Sequence, residues 1–370
     1  MLFSPEPKNR REDLYDREKE LKELDVFLRG NLGPMALLLG LRRTGKTSLL
    51  KVSLSEFKGP TITVDMRKIE EKGTISYRDF MGLFQEGINN ITKSWKSTII
   101  EALKRVRGVE ISGFKVYLAW GGKNRVTLTD LLDKLNDAAS EIGARIVIAI
   151  DEAQELIKAA GFRIDRALAY AYDNLKSIKF VLTGSRIGLL YRLIGVDNPK
   201  APLFGRAMWE IKLSYFNRDQ SMDFLMKGFE ELNIKASMNE IEEAVEELNG
   251  IPGWLSLYGY YRIKKKHKEA LNEVKQTAEA MIISEAENFL KIRPQARARY
   301  IEILKAVALG CDRWSIIKKR AESALGEPIP PKNYTEILNN LVAAGLIDKK
   351  DNKYIIPDRL MRNAYMKLRT

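Results

Sequence analysis

The residues Gly40-Leu41-Arg42-Arg43-Thr44-Gly45-Lys46-Thr47 carry the spacing G-x-x-x-x-G-K-[ST]. Glycines such as Gly40 and Gly45 let the backbone curl so that N–H groups point inward, and a following helix adds the positive end of its dipole. That makes a cradle for phosphate oxygens. Lys46 would neutralise the β- and γ-phosphates, and the Thr47 hydroxyl would ligate Mg²⁺. Lys46 is expected to stand exposed in the empty loop. The bland alternative, a glycine turn that binds nothing, is weakened by the strand before the loop and the helix after it.

A second constellation ends another apolar run: Ile146-Val147-Ile148-Ala149-Ile150-Asp151-Glu152. Acids at the carboxyl edge of a sheet, beside a phosphate loop, suit metal and water chemistry. Asp151 would hold Mg²⁺ through its water shell, and Glu152 would take a proton from, or orient, an attacking water. Both acids could instead merely cap the following helix with negative charge at its N-terminus. In Thr183-Gly184-Ser185 a hydroxyl, Ser185 before Thr183, could bond the γ-phosphate or that water; Ser185 could equally cap the next helix. Arg206, just before a fifth strand, could offset transition-state charge in cis or toward a neighbouring subunit, with Arg42 and Arg43 doing related work. An arginine in Arg206's setting is also an ordinary surface charge.

These side chains need a scaffold, and the apolar pattern supplies one. Met35–Leu39, Thr61–Asp65, Arg145–Ile150, Lys179–Thr183 and Trp209–Leu213 read as strands separated by helical stretches. Short, nearly continuous apolar runs of this kind form a parallel sheet covered on both faces. The fold class is α/β. Asp16 is the expected N-cap of a first helix with Leu21, Leu24 and Leu28 on one face. An insertion over 68–140 is mainly helical, with a hairpin around Val109 to Trp120. The core spans 1–214, a helical lid 215–288, and the tail 289–370. Three helices, near Ala298–Leu309, Arg313–Leu325 and Lys332–Ala344, precede a strand pair at Leu346-Ile347 and Tyr354–Ile356, the order of a winged helix-turn-helix.

Composition narrows the chemistry. With Cys311 and His267 alone of their kinds, no disulfide, thiolate metal cluster or Cys–His nucleophile can be built. No apolar run has the length of a membrane span, and a reducing cytoplasm is the expected setting. The net charge of +13 is uneven: residues 259–370 hold 23 basic and 13 acidic side chains. Such asymmetry suits an anionic partner for the last third, though scattered lysines also serve as a solvated surface.

The combined pattern resembles the archaeal ATPase family, STAND-like relatives within the AAA+ class of P-loop ATPases. It is carried by Tyr15-Asp16-Arg17-Glu18 with Leu21, Arg42 to Leu50 including Ser48, Asp151 to Gln154, Thr183-Gly184-Ser185, Pro202 to Arg206 and Gly250-Ile251-Pro252. The resemblance implies ATP and ADP as ligands with Mg²⁺, slow hydrolysis and a winged-helix tail. It also implies an adenine pocket around Leu14, Tyr15 and Arg17, closed near Pro252. The nearest arginine to Pro252 is Arg262, so the second sensor of many AAA+ motors is not matched, which argues for a switch. Three functions compete: a switch whose winged helix binds nucleic acid, the same switch with that unit packed on the ATPase or a protein partner, and a small-molecule kinase. Asn339 and Asn340 could read bases, while Lys318, Lys319, Arg320, Lys349, Lys350 and Lys353 could grip phosphates.

Overall fold

Helix α1 (Glu18–Arg29) leads into β1 (Met35–Leu39), α2 (Lys46–Glu56) and β2 (Thr61–Asp65). The insertion holds α3 (Tyr77–Asn89), α4 (Lys93–Leu103), a hairpin of β3 (Val109–Ser112) with β4 (Lys115–Leu118), and α5 (Leu128–Glu141). Then β5 (Ile146–Asp151), α6 (Ile164–Asn174), β6 (Ile178–Gly184), α7 (Ile187–Ile194) and β7 (Trp209–Lys212) complete the core. The computed structural model describes residues 1–119 and 126–370, so Trp120 of the expected hairpin lies outside the described residues.

The strands pair in the order β2-β5-β6-β1-β7, every neighbour parallel. β1, β5 and β6 are buried along their whole length, which is why their sequences lack alternation. Register sets the chemistry: Leu39 pairs with Gly184, and Asp65 with Asp151. The loops leaving β1, β5 and β6 therefore emerge together at one edge.

The first helix departs from expectation. Asp16 and Arg17 both have left-handed backbones (φ 54° and 86°), so Arg17 takes the N-cap position without a side-chain cap. Asp16 instead accepts a hydrogen bond from Gln220.

Helices α8 (Arg218–Glu231), α9 (Met238–Leu248), α10 (Pro252–Arg262) and α11 (His267–Lys291) form the lid. The winged helix follows as α12 (Arg297–Ala308), α13 (Trp314–Leu325), α14 (Pro331–Ala343), β8 (Asp348–Lys350) and β9 (Lys353–Ile355). Asp351 and Asn352, at φ 48° and 59°, make the two-residue turn between the wing strands. Leu346 and Ile347 precede β8 and are buried in the core. A further helix, α15 (Arg359–Met366), lies beyond the expected strand pair and buries Leu360, Met361, Ala364 and Tyr365.

The expected division at 288/289 falls inside α11, which runs unbroken through it. One apolar cluster contains Trp254 of α10, Phe289 and Leu290 of α11, and Tyr334 and Leu338 of α14. Lid and winged helix thus share a core. Among the described residues no helix is long and apolar enough to cross a membrane.

Phe3 belongs to the same cluster and is fully buried. Its ring lies where a Cβ on Gly228 or Gly259 would come within 2.2 Å, and it meets Phe224 and Phe229 edge-on at 5.6 and 5.2 Å. Phe3→Ala should cost about 3 to 5 kcal/mol of stability in urea unfolding. A loss under about 1 kcal/mol would mean that this ring does not fasten the N-terminal segment to the lid.

Candidate nucleotide site

The phosphate loop joins β1 to α2, and its glycines are needed where they stand. A Cβ on Gly40 would meet Leu213 O at 2.8 Å and Thr44 Oγ1 at 2.9 Å, and Gly45 has φ 97°. Because α2 begins at Lys46, its first free N–H groups face the loop. Lys46 is not exposed as expected. It is 5% accessible, and its ammonium donates to Gly40 O at 2.7 Å and Leu41 O at 2.8 Å. Burial pulls its pKa down to about 8, against the attraction of Glu152 and Asp151. Two main-chain carbonyls leave one ammonium proton to give, which is what a phosphate oxygen needs.

Asp151 sits at the end of β5 with a hydroxyl on each oxygen. Thr47 Oγ1 donates to Oδ2 at 3.0 Å, and Thr183 Oγ1 donates to Oδ1 at 2.5 Å. Arg67, chelated by Asp65, stands 3.4 Å from Asp151 Oδ2. Burial raises the Asp151 pKa, opposed by the Thr183 bond. A hydroxyl and a carboxylate at this spacing are oxygen donors of the kind Mg²⁺ takes, so the residues present fit that ion.

Glu152 has a left-handed backbone (φ 54°), and its N–H donates to Thr183 Oγ1 at 2.9 Å. Its carboxylate accepts from Ser185 Oγ and, at 2.5 Å, from Gln154 Nε2. Burial alone would raise its pKa. Lys46, the Ser185 bond, Arg42 and Gln154 more than offset this and leave it lowered. Glu152 makes no side-chain cap on the turn after it, and Arg186, not Ser185, holds the N-cap position of α7.

A cavity of about 480 Å³ opens over the loop. It is lined by Gly45, Lys46, Thr47 and Ser48, by Arg42, Arg43 and Thr44, and by Glu152 and Arg67. At its apolar end stand Leu14, Tyr15, Phe216, Phe224 and Pro252, the last opening α10. Tyr15 donates to Asp223 at 2.5 Å and meets the rings of Phe216 and Phe224 edge-on. Arg17, buried, donates to Thr44 O at 3.3 Å and Ser214 O at 2.6 Å, with Phe216 beneath it. The N-terminal segment roofs this end: Lys8 N–H donates to Ser48 Oγ at 3.0 Å, and its ammonium gathers the carbonyls of Met1, Leu2 and Ser4.

Two arginines stand apart. Arg206 chelates Asp173 at 3.0 and 2.6 Å and does not line the cavity. Arg262 faces Glu240 and the Lys265 carbonyl. Sequence reasoning missed the roof, Gln154's bond to Glu152, and Arg67. Arg67's place just beyond a strand end opposite Asp151 was a usable signal.

The winged helix meets the core beside this site. Leu41, Arg43 and Ser185 face Gly345, Asp358 and Met361 across a narrow cleft. α14 packs on α7 so closely that a Cβ on Gly188 would come within 2.6 Å of Ala343 Cα. Arg192 of α7 donates to Asn340 Oδ1 at 2.9 Å and Asn339 O at 3.3 Å, and Asn340 also donates to Tyr300. Lys318 pairs with Glu322, and Lys353 with Asp312. Among the described residues Lys319, Arg320, Lys349 and Lys350 have no ion-pair partner.

Residues 14–257 match a family described as an ATPase domain predominantly from Archaea, and residues 294–356 match the C-terminal winged helix-turn-helix domain of MCM proteins. A Walker-type ATPase of Pyrococcus abyssi is 34% identical and superposes with a TM-score of 0.82, covering 99% of this chain and 100% of that one. The ORC2 protein of Aeropyrum pernix, solved with ADPNP and ADP, shares the fold at a TM-score of 0.55 and 14% identity, over 95% and 94% of the two chains. An uncharacterised ATP-binding protein of Methanocaldococcus jannaschii is 26% identical over 145 residues, 38% of this chain and 40% of that protein. The present chain thus spans under half of that curated relative. The match over 14–257 takes in the loop, the acid pair and the start of the lid, and the chain belongs to this family of ATPase domains predominantly from Archaea, followed here by a winged helix.

Proposed function

We propose that the chain is an ATP-hydrolysing switch of the cytoplasm whose bound nucleotide decides whether the winged helix stays docked on the ATPase core. ATP would lie with its base toward Tyr15, Phe216 and Pro252 and its phosphates on the loop. Mg²⁺, held by Thr47 and through water by Asp151, would offset charge on the β- and γ-phosphates. Lys46, short of one partner, would give its remaining proton to the phosphates. Glu152, kept ionised, would take the proton of the attacking water, with Ser185 and Gln154 fixing its orientation. A kinase reading is weaker, because this arrangement serves water rather than a second substrate. Arg206 would have to leave Asp173 to act as a finger, whether toward its own nucleotide or a neighbouring subunit's.

The observation that carries the switch is the seam: Ser185, which holds Glu152, lies on the same cleft as Gly345 and Asp358 of the winged helix. Changes at the γ-phosphate would reach that seam directly. The unpaired Lys319, Arg320, Lys349 and Lys350 favour nucleic acid as the partner of the released unit. While Arg192 holds Asn339 and Asn340, α14 is not free to read bases.

Lys46→Ala should abolish tight ATP binding measured by calorimetry; an unchanged affinity in a folded variant would remove the nucleotide reading. In steady-state turnover Glu152→Gln should slow hydrolysis by about a hundredfold while ATP still binds. A wild-type rate would move the base to another residue. Arg192→Ala should free α14 and raise duplex DNA affinity in every nucleotide state. Adding Lys349→Ala and Lys350→Ala should then flatten the log–log salt slope by about two units. No DNA affinity at low salt in either protein would leave a protein partner as the target.

A further inference from the structure

The two loop arginines do not point into empty space; they are taken by a carboxylate of the lid. Arg42 Nη1 and Arg43 Nη2 converge on one oxygen of Glu285 in α11, at 3.1 and 2.7 Å. Arg42 also pairs with Glu70 at 2.8 Å. Glu285 is only 13% accessible, so losing both cations would leave a buried charge uncompensated. Such a group holds its partners until something equally anionic replaces it.

We infer that Glu285 is the resting counter-ion of Arg42 and Arg43 and competes for them with the γ-phosphate of ATP, so that ATP, and not ADP, loosens the lid from the core. This rests on the nucleotide reading above. Glu285 itself lines the nucleotide cavity together with both arginines. Arg42 lines that cavity beside Lys46 and Glu152, near enough for their charges to act on one another. Guanidinium forks donate to phosphate oxygens as readily as to carboxylate oxygens. ADP lacks the third phosphate and leaves the pairs intact. The consequence travels outward: the Arg43 guanidinium lies 4.1 Å over the Trp254 ring, and Trp254 Nε1 donates to Asp358 Oδ2 at 2.9 Å. The other oxygen of Asp358 accepts from Leu360 N at 2.8 Å, capping α15. Arg43 thus connects the phosphate loop to the winged helix through a single tryptophan. Glu285 acts through the arginines, as a positioning residue.

The full chain can be titrated with ATPγS and with ADP. Glu285→Gln keeps the shape and removes the competing charge, so the ATPγS:ADP affinity ratio should rise by about tenfold, with Glu285→Asp near wild type. A merely structural role would lower both affinities alike. In the wild-type protein, amide exchange across 280–290 should be faster with ATPγS than with ADP, a readout that stands even if the variant fails to fold. An unchanged ratio with ADP binding intact, or equal exchange in the two nucleotides, overturns the inference and leaves the nucleotide reading in place. If the wild-type chain binds neither nucleotide, both fall together.

Discussion

Lys46 is buried with two carbonyls as hydrogen-bond partners and two carboxylates, Asp151 and Glu152, near enough to feel its charge. Taking an ammonium out of water is costly unless opposite charge surrounds it. The carboxyl edge of the sheet is arranged to meet that cost. β5 brings the two acids level with the loop, β6 brings Thr183 and Ser185 to hold them, and the N-terminal segment lies over the far end. Each acid then needs its own partners, and those partners reach outward to Arg42, Arg67, Glu70 and Glu285. The lid is tied to the core by these ion pairs as well as by Gly253 N–H on Arg43 O.

Charge would carry the proposed coupling, and apolar burial would make it stiff. Lid and winged helix share one core, so a shift at α10 or α11 moves α15 and α14 together rather than being absorbed in a linker. Close-packed interiors transmit small displacements instead of damping them. The seam between α7 and α14 includes the close approach of Gly188 to Ala343 and the polar bonds of Arg192 to Asn339 and Asn340. A polar junction between stiff bodies is where separation costs least.

Much of this was legible in the residues. The five strands appear within about one residue of expectation, since strands buried on both faces announce themselves as short apolar runs. The phosphate loop and acid pair were legible because their chemistry demands particular residue types at fixed spacing. What escaped depends on contacts between distant segments. Nothing in Gly228 or Gly259 signals that Phe3 fills the space beside them, and nothing in Glu285 marks it as the partner of two loop arginines. Asp16 was misplaced because Gln220, some two hundred residues on, takes its carboxylate from the helix end. The expected 288/289 division lies within α11, whose buried residues belong to the core shared by lid and winged helix, so the apolar pattern runs on without a break there.

If the nucleotide decides whether the winged helix is docked, the distance between α14 and the core must change with it. Spin labels at Lys200→Cys and Glu336→Cys, with Cys311→Ser to remove the native thiol, would report the separation of the core beside α7 from α14. Both positions are exposed, and a matching DNA-free binding curve for ADP would check that the labelled chain keeps its nucleotide site. With ADP the distance distribution should be single and short. In the Glu152→Gln background with ATP and Mg²⁺ it should shift to longer, broader distances. Identical distributions in the two states would contradict the account.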